Sequence, residues 1–149
     1  MTIKNWLNDF LSDFYRSCLK ELGFKKTRCT FSREMGTYWE HFNFQASQWN
    51  GAPGVHWSFY LNVGVEFKDL ERRKNYVFLA QTHCAGRIEQ IVLSAPHAWR
   101  YNAETNREAL IRELLPLIES ASQIMACNIT HLRSQYVTGE FIYFDFTKT

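Results

Sequence analysis

The chain has 149 residues, 46% of them hydrophobic and 16% aromatic, which is long and apolar enough for a buried core and excludes a disordered chain. Its 17 basic and 15 acidic residues leave a net charge of +2, too balanced to indicate nucleic acid or an anionic membrane as partner. No apolar run approaches membrane-spanning length. We therefore expect one domain over residues 1–149, with neither of those partners.

The N-terminus and the cysteines indicate a cytoplasmic protein. The opening sequence MTIKNWLNDF has no long apolar segment and carries an acidic residue, so it does not resemble a signal peptide. The cysteines are far apart and form no CxxC pair, which favours reduced thiols over a disulfide framework. They are Cys18, Cys29, Cys84 and Cys127.

Residues 3–22 predict an amphipathic helix, because apolar side chains recur on one stripe, and Gly23 suits the left-handed position after its last turn. Residues 24–33 then predict a first strand. Its basic residues permit a phosphate site, but a charged edge strand that resists aggregation is the simpler interpretation. These residues are Lys25, Lys26 and Arg28.

The strongest strand signal lies in residues 55–67, where seven apolar residues alternate with six others. Residues 37–49 predict the preceding strand, and residues 50–54, with the sequence NGAPG, form a hairpin loop. If the two strands pair, one face is apolar. This face carries Phe42, Phe44, Ala46, Trp57, Phe59, Leu61 and Val63.

The other face of this hairpin is polar but almost uncharged. Amides, hydroxyls and imidazoles in a row have two interpretations: cross-strand pairs on a half-covered sheet, or a surface that meets a ligand or a partner. The face carries Trp39, His41, Asn43, Gln45, Ser47, His56, Ser58, Tyr60 and Asn62. As binding residues we predict Trp39, His41, Asn43, Gln45, Tyr60 and Asn62.

Weaker signals follow. Residues 68–75 are charged and predict a loop, residues 77–80 a short buried run, and residues 86–93 a short strand. The pair His83–Cys84 joins two soft-metal ligand types, but a zinc site needs three or four ligands at defined spacing. We therefore interpret the pair as a buried thiol beside a polar histidine, and we predict no metal and no cofactor.

The C-terminal part predicts a loop over residues 94–102 and a second long helix over residues 105–126, capped by Thr105 or Asn102. Pro116 either kinks this helix or divides it into two. Residues 135–147 predict a final strand that is apolar on both faces near its end. The chain is thus predicted to be a single α+β domain, in which an antiparallel sheet of four to six strands packs with an N-terminal helix and a second long helix.

Several short pieces of the chain form a recognisable series. They are Leu22–Gly23–Phe24–Lys25–Lys26 with Phe31, Asn43–Phe44–Gln45, Leu61–Asn62–Val63–Gly64–Val65, and a weaker His83–Cys84 with Arg87–Ile88 and Trp99. In their order and spacing these pieces resemble the DUF4304 family, a bacterial domain of unknown function, from about Leu7 to Leu117. The resemblance implies a small cytosolic bacterial protein and supplies no activity, cofactor or catalytic residue.

Two functions compete. The first is a non-enzymatic binding module that presents its polar face to a protein or a small polar ligand, as immunity proteins against toxins do; this last step is an analogy of fold. The second is a small enzyme with His41 and His56 as acid or base and Glu40 or Glu66 nearby. Glu40 falls on the opposite face from His41, and the sequence has no nucleophile motif, phosphate loop or paired carboxylates. We therefore favour the binding module and assign no catalytic residue.

Overall fold

The computed structural model describes residues 2–71 and 82–139, and in this part of the chain six strands form one antiparallel sheet beside three helices. The predicted α+β single-domain class, strand number, N-terminal helix and second long helix are confirmed. The elements are α1 (Ile3–Phe14), β1 (Lys25–Thr27), β2 (Thr30–Glu34), β3 (Tyr38–Ala46), β4 (Trp57–Phe67), β5 (Cys84–Arg87), β6 (Trp99–Tyr101), α2 (Arg107–Cys127) and α3 (Ile129–Thr138).

The strands follow the order β1-β2-β3-β4-β5, and β6 pairs with the start of β4 on the same edge as β5. The β3–β4 register sets Phe42 opposite Val63 and Phe44 opposite Leu61, as alternation predicts. These four side chains are fully buried, and they define the core face of the sheet. Trp57 is less buried than predicted, since it lies at the rim and only packs against the core.

Helix α1 covers the core face. Phe14 meets Phe31 and Phe44 edge-on, with ring centroids 6.3 Å apart in both pairs. The helix continues as a π-helical segment, Tyr15–Leu19, and the chain then turns at Gly23, whose φ of +93° explains why glycine stands there.

The predicted strand 24–33 is in fact a hairpin. Thr27 pairs with Thr30, so only two residues, Arg28 and Cys29, connect β1 to β2. Arg28 adopts φ +55°, a conformation in which glycine or asparagine is usual. Because neither residue stands at this position, the sequence did not predict the turn. The pairing also places Lys26 opposite Phe31, on the core face rather than the polar one. Strand β1 ends the pairing order, in agreement with the edge-strand interpretation.

Helix α2 runs unbroken through Pro116, which excludes two shorter helices. Its cap is Asn106, whose side chain accepts from the Ala109 amide at 2.9 Å. Thr105, one of the two predicted caps, instead accepts from the amide of the other, Asn102, in the preceding turn. The sequence analysis missed Asn106 because three candidate caps lie within five residues.

The C-terminal prediction is wrong where it can be compared. Residues 135–138 belong to helix α3, whose buried side chains recur at helical spacing, and Gly139 ends the helix with φ +80°. Residues 140–147 lie outside the described residues, as do residues 77–80 and part of the loop 68–75. The strand predicted over 86–93 is mostly wrong: only residues 86 and 87 are extended, as the end of β5, and Ile88–Gln90 form a 3-10 helix. The predicted loop 94–102 contains β6. The buried residues of α3 are Leu132, Gln135 and Tyr136.

The three helices pack against the core face. Phe14 of α1 contacts Phe31 and Phe44, the Arg33 guanidinium reaches Ser122 of α2 at 3.0 Å, and Leu132 of α3 lies beside Cys84. On the opposite face of the sheet, β3 and β4 carry mostly polar side chains, and we call it the polar face. No helix in residues 2–71 or 82–139 is long and apolar enough to cross a membrane.

Candidate functional site

The polar face holds all six predicted binding residues, because each occupies an alternate position on paired strands. Asn43 lies opposite Asn62, and Gln45 opposite Tyr60. His41 and Trp39 follow toward the other end of β3. Five of the six residues belong to three environments, an amide network, a hydroxyl–imidazole–carboxylate row and a groove; Gln45 belongs to both the network and the groove, and Trp39 lies outside all three.

The amide network consists of Asn43, Gln45, Asn62 and Arg87. The Asn62 amide nitrogen donates to Asn43 Oδ1 at 2.9 Å and to Gln45 Oε1 at 3.0 Å. Arg87 Nη1 donates to Asn62 Oδ1 at 2.7 Å, and the Asn43 amide donates to Thr30 at 3.0 Å. Asn62 is only 3% exposed. These groups satisfy one another, as the cross-strand interpretation predicts, so Asn43 and Asn62 are not displayed to a ligand.

The row consists of Ser32, His41 and Glu66. His41 Nε2 lies 2.8 Å from a Glu66 carboxylate oxygen, and His41 Nδ1 lies 2.6 Å from the Ser32 hydroxyl. An ionised carboxylate only accepts, so Nε2 carries the proton, and in neutral His41 the other nitrogen accepts from Ser32. The β2–β3 register, which sets Ser32 opposite His41, creates this row. Because the sequence prediction missed the β1–β2 turn, it did not identify Ser32.

Two further residues considered in the sequence analysis, Trp39 and Glu40, lie outside the network and the row. Trp39 lies between two cations, with Lys25 Nζ 5.5 Å and Lys68 Nζ 5.9 Å from its ring centre. Glu40 lies on the core face, as predicted, where it is fully buried and binds Arg33 at 2.7 Å. Burial and the nearby Glu40 charge raise the pKa of Tyr38.

His83 is held by the backbone. Its Nδ1 accepts from the Phe67 amide at 2.9 Å, and its Nε2 lies 2.9 Å from the Leu70 carbonyl, so Nε2 carries the proton. The adjacent Cys84 is buried and directs its thiol toward the Leu132 carbonyl. Across residues 2–71 and 82–139, no three His, Cys, Asp or Glu side chains gather in a metal-binding arrangement.

A groove crosses the polar face beside Tyr60. It consists of two adjoining concavities of about 250 and 560 Å³, which share Trp49, Tyr60 and His97; we call it the Trp49 groove. The described residues of its walls include two arginines and two histidines but no aspartate or glutamate. The remaining lining residues are Gln45, Ser47, Gln48, Val55, His56, Ser58, Arg87, Ala98 and Arg100.

Trp49 is the most unusual residue of the groove, because its side chain is 60% exposed. The loop that carries it is held in place by Asn50, whose amide group donates to the Ser58 carbonyl at 3.0 Å and accepts from the Ser58 amide at 2.9 Å. The Trp49 amide donates to the Ser47 hydroxyl at 3.2 Å. The exposed indole is therefore carried by an ordered loop.

The opposite wall consists of stacked side chains. The Arg87 guanidinium lies 4.2 Å from the centre of the Tyr60 ring, and the His97 ring centre lies 5.4 Å from it. His97 Nδ1 also lies 2.7 Å from a Glu89 carboxylate oxygen outside the groove lining. His97 belongs to the segment between β5 and β6. On this edge of β4, β5 pairs with residues 62–65 and β6 with residues 57–59, so neither strand pairs with Tyr60 or Leu61.

Of the six predicted binding residues, only Gln45 and Tyr60 line the Trp49 groove. The sequence prediction missed Trp49, His97, Arg87 and Arg100. Trp49 directly precedes the predicted NGAPG loop, and this position of an aromatic residue beside a turn could have indicated its exposure. No sequence signal identified Arg100 or His97, because residues 94–102 were predicted to be a loop and not to pair with β4.

The fold and the surface define a single-domain α+β protein whose antiparallel sheet carries helices on one face and a polar, aromatic-edged groove on the other. The model of the DUF4304 family, a domain of unknown function, matches residues 15–126. The chain belongs to this family, as its sequence motifs indicated. Neither a curated protein nor a solved structure matches the chain.

Proposed function

We propose that this protein is a non-enzymatic binding module that recognises a partner protein through the Trp49 groove. The ordered, exposed indole of Trp49 is the observation that carries the proposal. Tryptophan, tyrosine and arginine dominate the binding energy of protein interfaces, and Trp49, Tyr60, Arg87 and Arg100 line one continuous groove. The groove is open along its length, which suits a protein surface better than an enclosed small ligand.

The amide network contributes to the proposal as a support for the groove. Asn62 and Gln45 hold Arg87 Nη1 at 2.7 and 3.1 Å, and Arg87 in turn stacks on Tyr60. A wall that is already ordered loses little conformational entropy on binding. In this proposal the predicted residues Asn43 and Asn62 position the site rather than contact the partner.

The proposal keeps the cellular setting expected from the sequence. The bacterial setting is the one that the family resemblance implies, and the cytoplasmic one is supported by the four cysteines, which are all thiols with no disulfide between them. An inhibitor or immunity-like role would use the same surface, because such proteins act by covering a partner.

The test begins with a pull-down from the source organism, followed by affinity measurement with the purified partner. Trp49→Ala should weaken binding by about tenfold or more, as expected for an anchor worth over 1.4 kcal/mol, with an unchanged melting temperature. Leu93→Ala is the matched control, since Leu93 is 90% exposed and lies outside the groove lining. Equal affinity of the Trp49→Ala variant would contradict the proposal.

A second candidate function is hydrolysis by the row of Ser32, His41 and Glu66, whose 2.6 and 2.8 Å contacts arrange a hydroxyl, a base and a carboxylate in line. One observation weighs against it. Phe31 and Ser32 pair with both β1 and β3, so the sheet occupies the backbone N–H groups that would otherwise form an oxyanion hole.

This candidate is tested with a fluorophosphonate probe and an activated ester. Labelling that disappears in Ser32→Ala and persists in Ser17→Ala, an exposed serine on the helical side, would support a hydrolase. Absence of labelling and of ester turnover in the wild-type protein would remove it.

A further inference from the structure

The charge of the Trp49 groove points to the chemistry of its partner. Its lining, as far as the structure describes it, contains Arg87, Arg100, His56 and His97 and no carboxylate, although the whole chain carries 15 acidic residues. Glu89 contacts His97 from outside the lining. Within residues 2–71 and 82–139, Arg100 is exposed and forms no ion pair. We infer, resting on the proposed function, that the groove binds a short acidic segment of the partner protein in an extended conformation.

The spacing of the two arginines supports the extended conformation. Arg100 lies opposite Ser58 and Arg87 lies opposite Asn62, with Tyr60 midway between these two β4 positions. Four residues of a strand cover roughly 13 Å at about 3.3 Å per residue. An extended segment has the same rise, so carboxylates at positions i and i+4 match the backbone positions of the two arginines, whereas a helix would need about nine residues for that distance.

The middle of the segment meets the aromatic part of the groove. A residue at position i+2 lies beside Tyr60, whose ring already stacks with Arg87, and near Trp49 and His97; Trp49, Tyr60 and His97 line both concavities. An aromatic or apolar side chain there packs against the exposed indole. The recognised pattern is therefore Glu/Asp–x–aromatic–x–Glu/Asp, with the two acidic side chains and the ring on one face.

Single-stranded nucleic acid is the competing occupant, since it also combines negative charge with stacking rings. Proteins that bind it line a groove with basic residues along the phosphate backbone. Here only two arginines flank the aromatic cluster, and the basic residues of β1 lie at the other side of the sheet, with β2 and β3 between them and β4. The observations therefore favour the acidic peptide.

The experiment uses fluorescence anisotropy with three labelled probes: a peptide containing Glu–Ser–Tyr–Ser–Glu, the same peptide with both glutamates replaced by glutamine, and single-stranded oligothymidylate. The acidic peptide should bind about tenfold more tightly than the glutamine peptide at low salt. This advantage should shrink at physiological salt, because exposed charge pairs are screened.

Three variants locate the effect. Arg100→Gln should weaken the acidic peptide about three- to tenfold and leave the glutamine peptide unchanged, whereas Trp49→Ala should weaken both peptides. Arg112→Gln, an exposed arginine on helix α2, is the matched control and should change neither. Each variant is first compared with the wild type by thermal melting, so that unfolding cannot imitate lost binding.

The inference is overturned by equal binding of the two peptides, by failure of the acidic peptide to bind at millimolar concentration, or by tighter binding of the oligothymidylate. Its failure is separable from that of the proposed function. If Trp49→Ala weakens binding of the natural partner, but neither salt nor Arg100→Gln changes its affinity, the proposed binding module is supported and the acidic segment is contradicted.

Discussion

The two faces of the β3–β4 pair share one backbone but are stabilised in different ways. The core face carries four buried side chains, Phe42, Phe44, Leu61 and Val63. Each stabilises the fold in proportion to the apolar area that it removes from water. On the polar face, Asn43 and Asn62 are stabilised by hydrogen bonds whose net value is about 1 kcal/mol each. Alternation alone therefore determines which face a residue occupies, whereas the neighbours on each face determine what it does there.

The largest expected effect is on the core face. Leu61→Ala should destabilise the protein by about 2–5 kcal/mol in chemical denaturation, because it removes a fully buried side chain and leaves a cavity. Leu93→Ala makes the same chemical change at a 90% exposed position and should have almost no effect. Similar denaturation midpoints for the two variants would contradict the division into two faces.

A second variant adds volume to the polar face where it is covered. A Cβ on Gly64 would lie 2.4 Å from Thr82 Cγ2 and 3.1 Å from the Cys84 carbonyl oxygen. Gly64→Ala should therefore cost about 1–3 kcal/mol, as overpacking does. Thr82→Ala in the same chain should recover part of this loss, because it removes the nearest atom. A double-mutant cycle with no coupling would show that Thr82 does not cover the sheet there.

The amide network provides an intermediate effect. Asn62→Ala leaves Asn43, Gln45 and Arg87 without one partner each and should cost about 1–2 kcal/mol in thermal or chemical denaturation. Partner binding by the folded fraction should fall only modestly, through looser placement of Arg87. Lost binding with an unchanged melting temperature would instead favour the earlier expectation that Asn62 contacts the ligand.

The smallest effect on stability is expected for Asp13, in the helix layer that covers the core face. Burial alone would raise the pKa of Asp13, but hydrogen bonds from Arg16 and Arg107 and their charges outweigh it and lower that pKa below 3.8. The carboxylate is partly exposed, so Asp13→Asn should cost only about 0.2–1 kcal/mol, and less at high salt.

The pH dependence of this pair has a definite sign. Because the folded-state pKa of Asp13 is the lower one, its contribution is complete above the unfolded-state pKa and is lost as the pH falls through the folded-state pKa. Denaturation midpoints of wild type and Asp13→Asn should differ by a constant amount at neutral pH and converge below about pH 4. A difference that grows with acidification would contradict the assigned ion pair.

The sequence determined the elements whose signals are local. Alternation over residues 55–67 and the NGAPG loop predicted β3, β4 and their register. Helical spacing predicted the helix that begins as α1 and continues as Tyr15–Leu19, and Gly23 predicted the turn that follows. Local signals failed where a turn lacked its usual residues, as at Arg28, and where residues 135–138 looked suitable for a strand. In α3, Leu132 and Tyr136 are spaced so that both side chains pack into a core formed mainly by other segments. The helix is therefore stabilised by tertiary packing rather than by a local sequence signal.

Only the tertiary structure decided the candidate site. The six polar-face residues could be placed by alternation, but whether they bind each other or a ligand depended on partners distant in sequence, such as Arg87 for Asn62. The Trp49 groove joins a hairpin loop, the middle of β4 and the segment before β6, and no sequence period connects these pieces. The physical reason is that alternation reports the direction of a side chain along one strand, whereas a concave surface depends on contacts between segments that meet only after the chain has folded.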